Sequence, residues 1–305
     1  MKAVICTRYG TPEVLKIVLV DKPIPKSKEV LVNIIASSVN SGDVRIRGLA
    51  ANWFLKIIMR LLFGFSKPRK PILGTVYAGI IEQIGEDVKD FKVGDEVYGL
   101  TGFNFGTHAE YISVKVNSVI STKPLNASFE EAAALLFGGQ TACYFLNKTI
   151  IANVPNLNVM IYGATSSVGT SALQIAKYYQ ANVTAVCSDY NKETVLELGA
   201  DTVIYYNKED FTKTNMRFDI ILDAVGKISK KQCTSLLKNG GKFLTVGGLE
   251  YATEKKQQLE FLKQLFENGK YKAMIDRIYS IDEIVDAHRY VDTGRKVGNV
   301  VIKIA

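Results

Sequence analysis

The chain has 305 residues, 47% apolar and 22% charged, an ordinary soluble composition that is too apolar for a disordered chain. Its 38 Lys+Arg against 30 Asp+Glu leave a formal charge of +8. That surplus is mild: it suits an anionic ligand or surface, and nucleic-acid binding is not expected from it.

At roughly 150 residues per domain, the length suggests two domains. Cys6, Cys143, Cys187 and Cys233 lie far apart with no C-x-x-C, and His108 and His288 are equally isolated. Neither a zinc site nor a disulfide framework is therefore expected. No run of about eighteen uncharged apolar residues occurs, and residues 1–8 do not read as a signal peptide. No membrane span is expected, and the cytoplasm is the default compartment.

The first third reads as β-rich. Residues 30–36 (VLVNIIA) and 79–85 (GIIEQIG) are strand-like, and 92–97 (KVGDEV) is a turn feeding a strand. Between them, residues 51–65 carry Trp53, Phe54, Ile57, Ile58, Leu61, Leu62 and Phe65 at helical spacing. Lys56 and Arg60 are four apart on the opposite face; Lys67, Arg69 and Lys70 follow.

From Ser128 the pattern changes. Ser128-Phe-Glu-Glu131 matches a capping box and opens an Ala-rich helix. Strand signals at 158–162, 183–187, 203–206, 219–223 and 242–246 then alternate with helical signals at 167–179 and 192–198. This alternation predicts right-handed βαβ units on a parallel sheet, an α/β doubly wound arrangement. A late helix spans 257–268, and residues 298–304 form a tail strand.

The densest chemical signal is residues 158–178 (NVMIYGATSSVGTSALQIAKY): a strand, a loop of small residues, then a helix. A helix N-terminus offers N–H groups and a partial positive charge, and small side chains let a pyrophosphate approach the backbone. The literal G-x-G-x-x-G is absent. The loop reads A-x-S-x-x-G, with Ala164, Ser166 and Gly169 at the three positions and Thr165, Ser167 and Val168 between. A tight βα turn without a ligand is the plainer alternative.

The second strand of such a unit ends near the adenosine ribose. Asp189, twenty positions after Gly169, would accept from ribose hydroxyls and favour NAD, or simply cap a turn. Ser188, Asn191 and Lys192 would donate to a 2′-phosphate and favour NADP.

The chain resembles the medium-chain dehydrogenase/reductase superfamily, in its zinc-independent quinone-reductase-like (zeta-crystallin-like) branch. The resemblance runs through MKAVICTRYG at 1–10, VNSGDVRIRG at 39–48 and PILGTVYAGIIEQIGEDVKDFKVGDEVYG at 71–99. It continues through GTHAEYI at 106–112, EEAAALLFGGQTA at 130–142, the glycine loop, LGADTVIYYNKEDF at 198–211, DIILDAVG at 219–226 and HRYVDTGRKVGNVVI at 288–302. It implies a GroES-like β-rich catalytic domain (1–123 and 270–305), a Rossmann domain (124–269) and an active site in the cleft.

The zinc-dependent relatives hold their metal with Cys, His and Cys; the aligned residues here are Asn40, Thr75 and Phe137, which implies no zinc. The resemblance points to Asn40 and Asp43 as catalytic residues, Asn40 as an amide donor and Asp43 as the orienter of Arg45 or Arg47. It carries cofactor contacts to Tyr206, Val225, Gly226, Val246, Gly247 and Asn299. NADPH is the expected cofactor, with NADH as the alternative. His108, where relatives carry an aromatic, is read as packed and hydrogen-bonded rather than as a proton donor.

In the 51–70 segment, Trp53, Phe54 and Phe65 are expected to wall an apolar substrate pocket; a basic amphipathic helix can also lie on an anionic membrane. Ser166 replaces a glycine, and Val76 a glutamate. Residues 251–256 replace a longer loop and a further strand that relatives use for dimerisation, which puts the implied homodimer in doubt.

Three functions are weighed. The leading one reduces a quinone or α,β-unsaturated carbonyl with NADPH, without zinc. An NAD-linked alcohol or aldehyde oxidoreductase rests on Asp189. An NADPH-sensing, RNA-binding protein with little turnover rests on the shortened segment and the charge.

Overall fold

The computed structural model describes residues 1–50, 53–248 and 250–305. Ala51, where the amphipathic segment is expected to begin, and Leu249, in the run before the shortened segment, lie outside the described residues.

In chain order the elements are β1 (Lys2–Cys6), β2 (Leu15–Leu19), β3 (Glu29–Val39), α1 (Ser41–Gly48), α2 (Trp53–Phe63), β4 (Val76–Ile84) and β5 (Glu96–Leu100). Next come β6 (Tyr111–Lys115), β7 (Val119–Thr122), α3 (Phe129–Leu146), β8 (Asn158–Tyr162), α4 (Ser167–Tyr178), β9 (Asn182–Cys187), α5 (Lys192–Glu197) and β10 (Thr202–Tyr205). The last are β11 (Phe218–Asp223), α6 (Lys230–Cys233), β12 (Leu237–Thr245), α7 (Lys256–Glu267), β13 (Ile275–Ser280), α8 (Ile284–Asp292) and β14 (Asn299–Lys303).

The chain divides into two compact units, Met1–Phe137 with Ile275–Ala305, and Gly138–Met274. These boundaries differ from the 123 and 270 suggested by the sequence. Residues 124–137 stay with the first unit, where Lys123 Nζ donates to the Ala127 carbonyl at 2.5 Å. Residues 270–274 stay with the second, where Tyr271 Oη donates to Ser171 Oγ at 2.5 Å and Lys272 N to Gln174 Oε1 at 2.7 Å.

In the first unit a seven-stranded sheet runs β13-β14-β3-β4-β5-β7, with β6 also pairing β3; β1 and β2 form a separate antiparallel ribbon. Among the described residues of this unit the β13–β14 pair is parallel and the other pairs are antiparallel. In the second unit five strands run β10-β9-β8-β11-β12, every pair parallel. The molecule is thus α/β as expected, a GroES-like β-rich unit and a Rossmann-like parallel sheet. The parallel strands read as unbroken apolar runs because both faces are covered: in β9, Val183–Cys187 are all buried. Helix α4 is buried on every side from Ser167 to Ala176, so it packs through small residues. A Cβ on Gly138 of α3 would collide with the Ser167 carbonyl at its start.

Two features of the sequence can be placed: the apolar residues of the 51–65 segment, and the short run 251–256, which stands where a further strand would be, as expected. The apolar stripe of α2 does not face inward. Met59 and Phe63 pack on the core of the first unit, while Trp53, Phe54, Ile57, Leu61 and Leu62 are at least half exposed. No strand follows β12 before α7 among the described residues, so β12 is an edge of the sheet. No helix of the described residues is long and apolar enough to cross a membrane.

The capping box at Ser128 forms as read: Ser128 N donates to Glu131 Oε2 at 2.8 Å and Glu131 N to Ser128 Oγ at 3.1 Å. Ser128→Ala should cost about 1 kcal/mol, seen as a lower urea midpoint with an unchanged slope.

Candidate functional site

The loop after β8 has the shape that its small residues imply. Gly163 takes φ +74°, and a Cβ there would lie 2.6 Å from Val225 Cγ1. Ser166 is the N-cap of α4, its Oγ accepting from Gly169 N at 3.0 Å. The hydroxyl standing where relatives have glycine is therefore spent on the helix itself. A Cβ on Gly169 would collide with the Gly163 carbonyl and lie 2.7 Å from Ala164 Cα, so only glycine allows this helix–strand approach. Ala164, Ser167 and Val168 are buried beneath the loop, and Thr165 is half-buried.

The loops after β11 and β12 are held by a residue that sequence reading missed. Asp223 is fully buried at the end of β11. Its Oδ1 accepts from the backbone N–H of Val225 (3.2 Å), Gly226 (2.8 Å) and Lys227 (3.2 Å). Its Oδ2 accepts from Ile228 N (3.2 Å) and Thr245 Oγ1 (2.9 Å). Thr245 Oγ1 in turn accepts from Gly247 N at 2.9 Å. One carboxylate thus sets both loops. Gly226 has φ +71°, and a Cβ on it would lie 2.6 Å from Gly247 Cα, so these backbones touch.

At the end of β9, Asp189 is not free. Lys208 Nζ pairs with its Oδ2 at 2.9 Å, and Asn207 Nδ2 donates to its Oδ1 at 2.7 Å. These two contacts, Lys208 first, hold the carboxyl below its usual range. Asn191 Nδ2 donates to Ser188 Oγ at 3.3 Å, and Lys192 opens α5 as an exposed cation. Tyr206 is half exposed, its ring 6.0 Å from that of Tyr162.

All these residues stand at the carboxyl ends of adjacent parallel strands. Residues 163–169 and 225–226 flank the boundary between β8 and β11, where the strand order reverses, the usual crevice for a nucleotide in such sheets. Asn299 is not among them: it is buried on β14 in the first unit, opposite Ile275.

Asn40 and Asp43 also belong to the first unit, at the start of α1. Asn40 Oδ1 accepts from Gly42 N (2.8 Å) and Asp43 N (3.2 Å), and its Nδ2 donates to Thr75 Oγ1 at 3.0 Å. Asp43 is buried and accepts from Asn40 N (2.9 Å) and Gly74 N (3.1 Å). It orients backbone rather than Arg45 or Arg47, which corrects that expectation; Arg47 pairs instead with Asp292 at 2.6 Å. Burial raises the Asp43 carboxyl, opposed by His108 and the two amides.

His108 is fully buried, its Nε2 3.1 Å from the Ser38 carbonyl and its ring 5.7 Å from His288. His288 is held well below its usual pKa, first by burial and then by His108 and Arg47. The four thiols are buried and raised by burial, Cys6 to about 11 and Cys143 to about 12, which suits packing rather than redox chemistry.

Asn40 and Thr75 are in hydrogen-bond contact, and Phe137 approaches the same turn, its Cε2 3.9 Å from where a Cβ on Gly42 would sit. An amide, a hydroxyl and a phenyl ring do not fit zinc, and no group of three His, Cys, Asp or Glu suited to a metal occurs among the described residues.

Comparison with known proteins decides the lineage. The chain is 33% identical to the 2-methylene-furan-3-one reductase of Solanum lycopersicum, over 99% of this chain and 79% of that one. It belongs to the medium-chain dehydrogenase/reductase superfamily. Residues 26–124 match the model described as alcohol dehydrogenase GroES-like domain, and residues 167–276 match zinc-binding dehydrogenase. The NADPH-dependent alkenal/one oxidoreductase of Arabidopsis thaliana chloroplasts is 29% identical over 99% of this chain and 79% of its own. The solved quinone oxidoreductase of Coxiella burnetii superposes with a TM-score of 0.89 at 28% identity, covering 100% of this chain and 99% of that one. As a member of this superfamily the protein is an oxidoreductase that uses a nicotinamide cofactor.

Gly169→Ala should weaken nicotinamide-cofactor binding at least tenfold, because the added Cβ meets backbone on two sides. Titration of cofactor fluorescence checks this, with a melting curve to verify that the variant folds.

Proposed function

We propose that this oxidoreductase is zinc-independent and passes a hydride from NADPH to a quinone or an α,β-unsaturated carbonyl. The observation that carries the reading is the Asn40–Thr75 hydrogen bond, 3.0 Å long, at the positions aligned with metal ligands. Alcohol oxidation there would need a Lewis acid or a base to take the hydroxyl proton, and an amide–hydroxyl pair supplies neither. An electron-poor acceptor asks for less, since its developing oxyanion needs only hydrogen-bond donors.

The reduced nicotinamide supplies the hydride. The chain's own groups bind and orient. The loop 163–169 and the N-terminus of α4 receive the pyrophosphate, and loops 225–226 and 246–247 border the nicotinamide riboside. Asn40 directs its amide hydrogen to Thr75 Oγ1, which leaves the Thr75 proton to donate to the acceptor's oxygen. Asp43 fixes Asn40 by holding its backbone N–H. Both thus serve the site in the roles of positioning residues.

NADPH preference is supported at the β9 tip. Lys208 neutralises Asp189, so the acid neither chelates a ribose alone nor repels a 2′-phosphate, and Ser188, Asn191 and Lys192 lie within five residues of the tip. The same pair speaks against the NAD-linked alternative.

The test is oxidation of NADPH and NADH by chelator-treated protein, with an ortho-quinone, a para-quinone and a short enone as acceptors. Turnover with NADPH should survive chelation, and Lys208→Ala should raise the KM for NADPH about tenfold while sparing NADH. Loss of activity on chelation, restored by zinc, would overturn the reading.

A further inference from the structure

Helix α2 has two apolar sides, and only one is covered. Phe63 lies 5.6 Å from the ring of Phe103 and 5.9 Å from that of buried Phe105, and Met59 joins it against the core. The end of the helix is tied down as well: the Gly64 carbonyl accepts from Tyr9 Oη at 2.7 Å, and the Phe63 carbonyl from Arg69 N at 2.6 Å. The opposite side, anchored in this position, presents Trp53 at 75% exposure beside Phe54, Ile57, Leu61 and Leu62, with Phe65 just beyond. Single exposed apolar residues are ordinary, but a contiguous set on one held helix marks a docking surface.

The charge around this patch selects its occupant. Residues 44–81 contain seven Lys and Arg and no Asp or Glu. Five of the cations, Lys56, Arg60, Lys67, Arg69 and Lys70, are on α2 or just after it, and all are exposed. Among the described residues none of the five is ion-paired. A two-fold contact with a second copy would set these cations against one another. A nucleic acid would meet the cations and stack on Trp53 and Phe54, but it would leave the exposed aliphatics Ile57, Leu61 and Leu62 in water.

An anionic bilayer surface meets both, its headgroups taking the cations while the acyl boundary takes Trp53, Phe54 and the aliphatics. Eleven residues reach only about 16 Å, so the helix lies in the interface and does not span it. We propose that α2 and the basic run after it dock this protein onto an anionic membrane surface. The docking does not depend on which acceptor is reduced.

Trp53 is the only tryptophan in the sequence, so its emission reports on this face alone. The full-length protein is mixed with vesicles of phosphatidylcholine, or of phosphatidylcholine with a minor fraction of phosphatidylglycerol, and followed by flotation and fluorescence. Flotation and a blue shift are expected with the anionic vesicles only, both falling as salt is raised. The pair Lys56→Gln and Arg60→Gln should weaken partition about fivefold per charge. Ile57→Gln with Leu61→Gln, which keeps the probe, should weaken it at least tenfold. Melting curves confirm that the variants fold.

Absence of flotation with anionic vesicles overturns the proposal. So does a blue shift without lipid that grows with protein concentration, which would assign the face to a second copy. A blue shift produced by NADPH and a soluble quinone without lipid would assign it to a substrate pocket, and overturns the proposal equally.

Discussion

The buried carboxylate of Asp223 is the constraint on which the carboxyl end of the parallel sheet depends. It gathers four consecutive backbone N–H groups and one hydroxyl, donors that strand ends otherwise leave unpaired. A carboxylate offers about four lone-pair sites, so five donors saturate it, with three of them sharing Oδ1. The consequence is geometric. Residues 224–228 curl back over the strand end, Val225 reaches Gly163, and Gly226 meets Gly247. Three loops that are far apart in sequence become one surface, built of backbone and small side chains, as a dinucleotide requires. Removing the carboxylate would strand five donors, each costing on the order of 1–3 kcal/mol if left unpaired.

Chemistry on this scaffold is set by which polar groups are already engaged. Ser166 spends its hydroxyl on Gly169 N, Asp189 spends its charge on Lys208, and Asn40 spends its carbonyl oxygen on the first turn of α1. In each case the residue that looks reactive in the sequence is committed to structure. What stays available is backbone N–H, the exposed cation Lys192 and the Thr75 hydroxyl. Within each unit, donors of this kind stabilise negative charge and do not withdraw protons, which is consistent with the proposed reduction of an activated acceptor.

Local features were legible in the sequence. Residues 158–162 coincide with β8 and 219–223 with all but the first residue of β11, because strands buried on both faces are written as apolar runs. The glycine loop was legible for the same reason: its strand, turn and helix are contiguous. Elements that rely on distant partners were not. β2 exposes Lys16, Ile17 and Leu19 to solvent, so its pattern does not alternate cleanly. α1 is eight residues without an apolar period, held by the Asn40 cap. β12 runs through Gly240 and Gly241, which read as a turn.

In the site, Asp223 meets Thr245 22 positions away and Asp189 meets Asn207 18 away. Neither pairing leaves a mark in a local window. The amphipathic period of α2 was visible, but a period identifies two faces without saying which is covered.

The most direct test is hydrogen–deuterium exchange of the full-length protein with and without NADPH. If the sheet end organised by Asp223 is the cofactor platform, protection should appear in residues 163–169, 188–192, 206 and 225–228 and around 246–247, and should be weaker with NADH at 188–192. Protection confined to other segments, or none at saturating NADPH, would contradict the account.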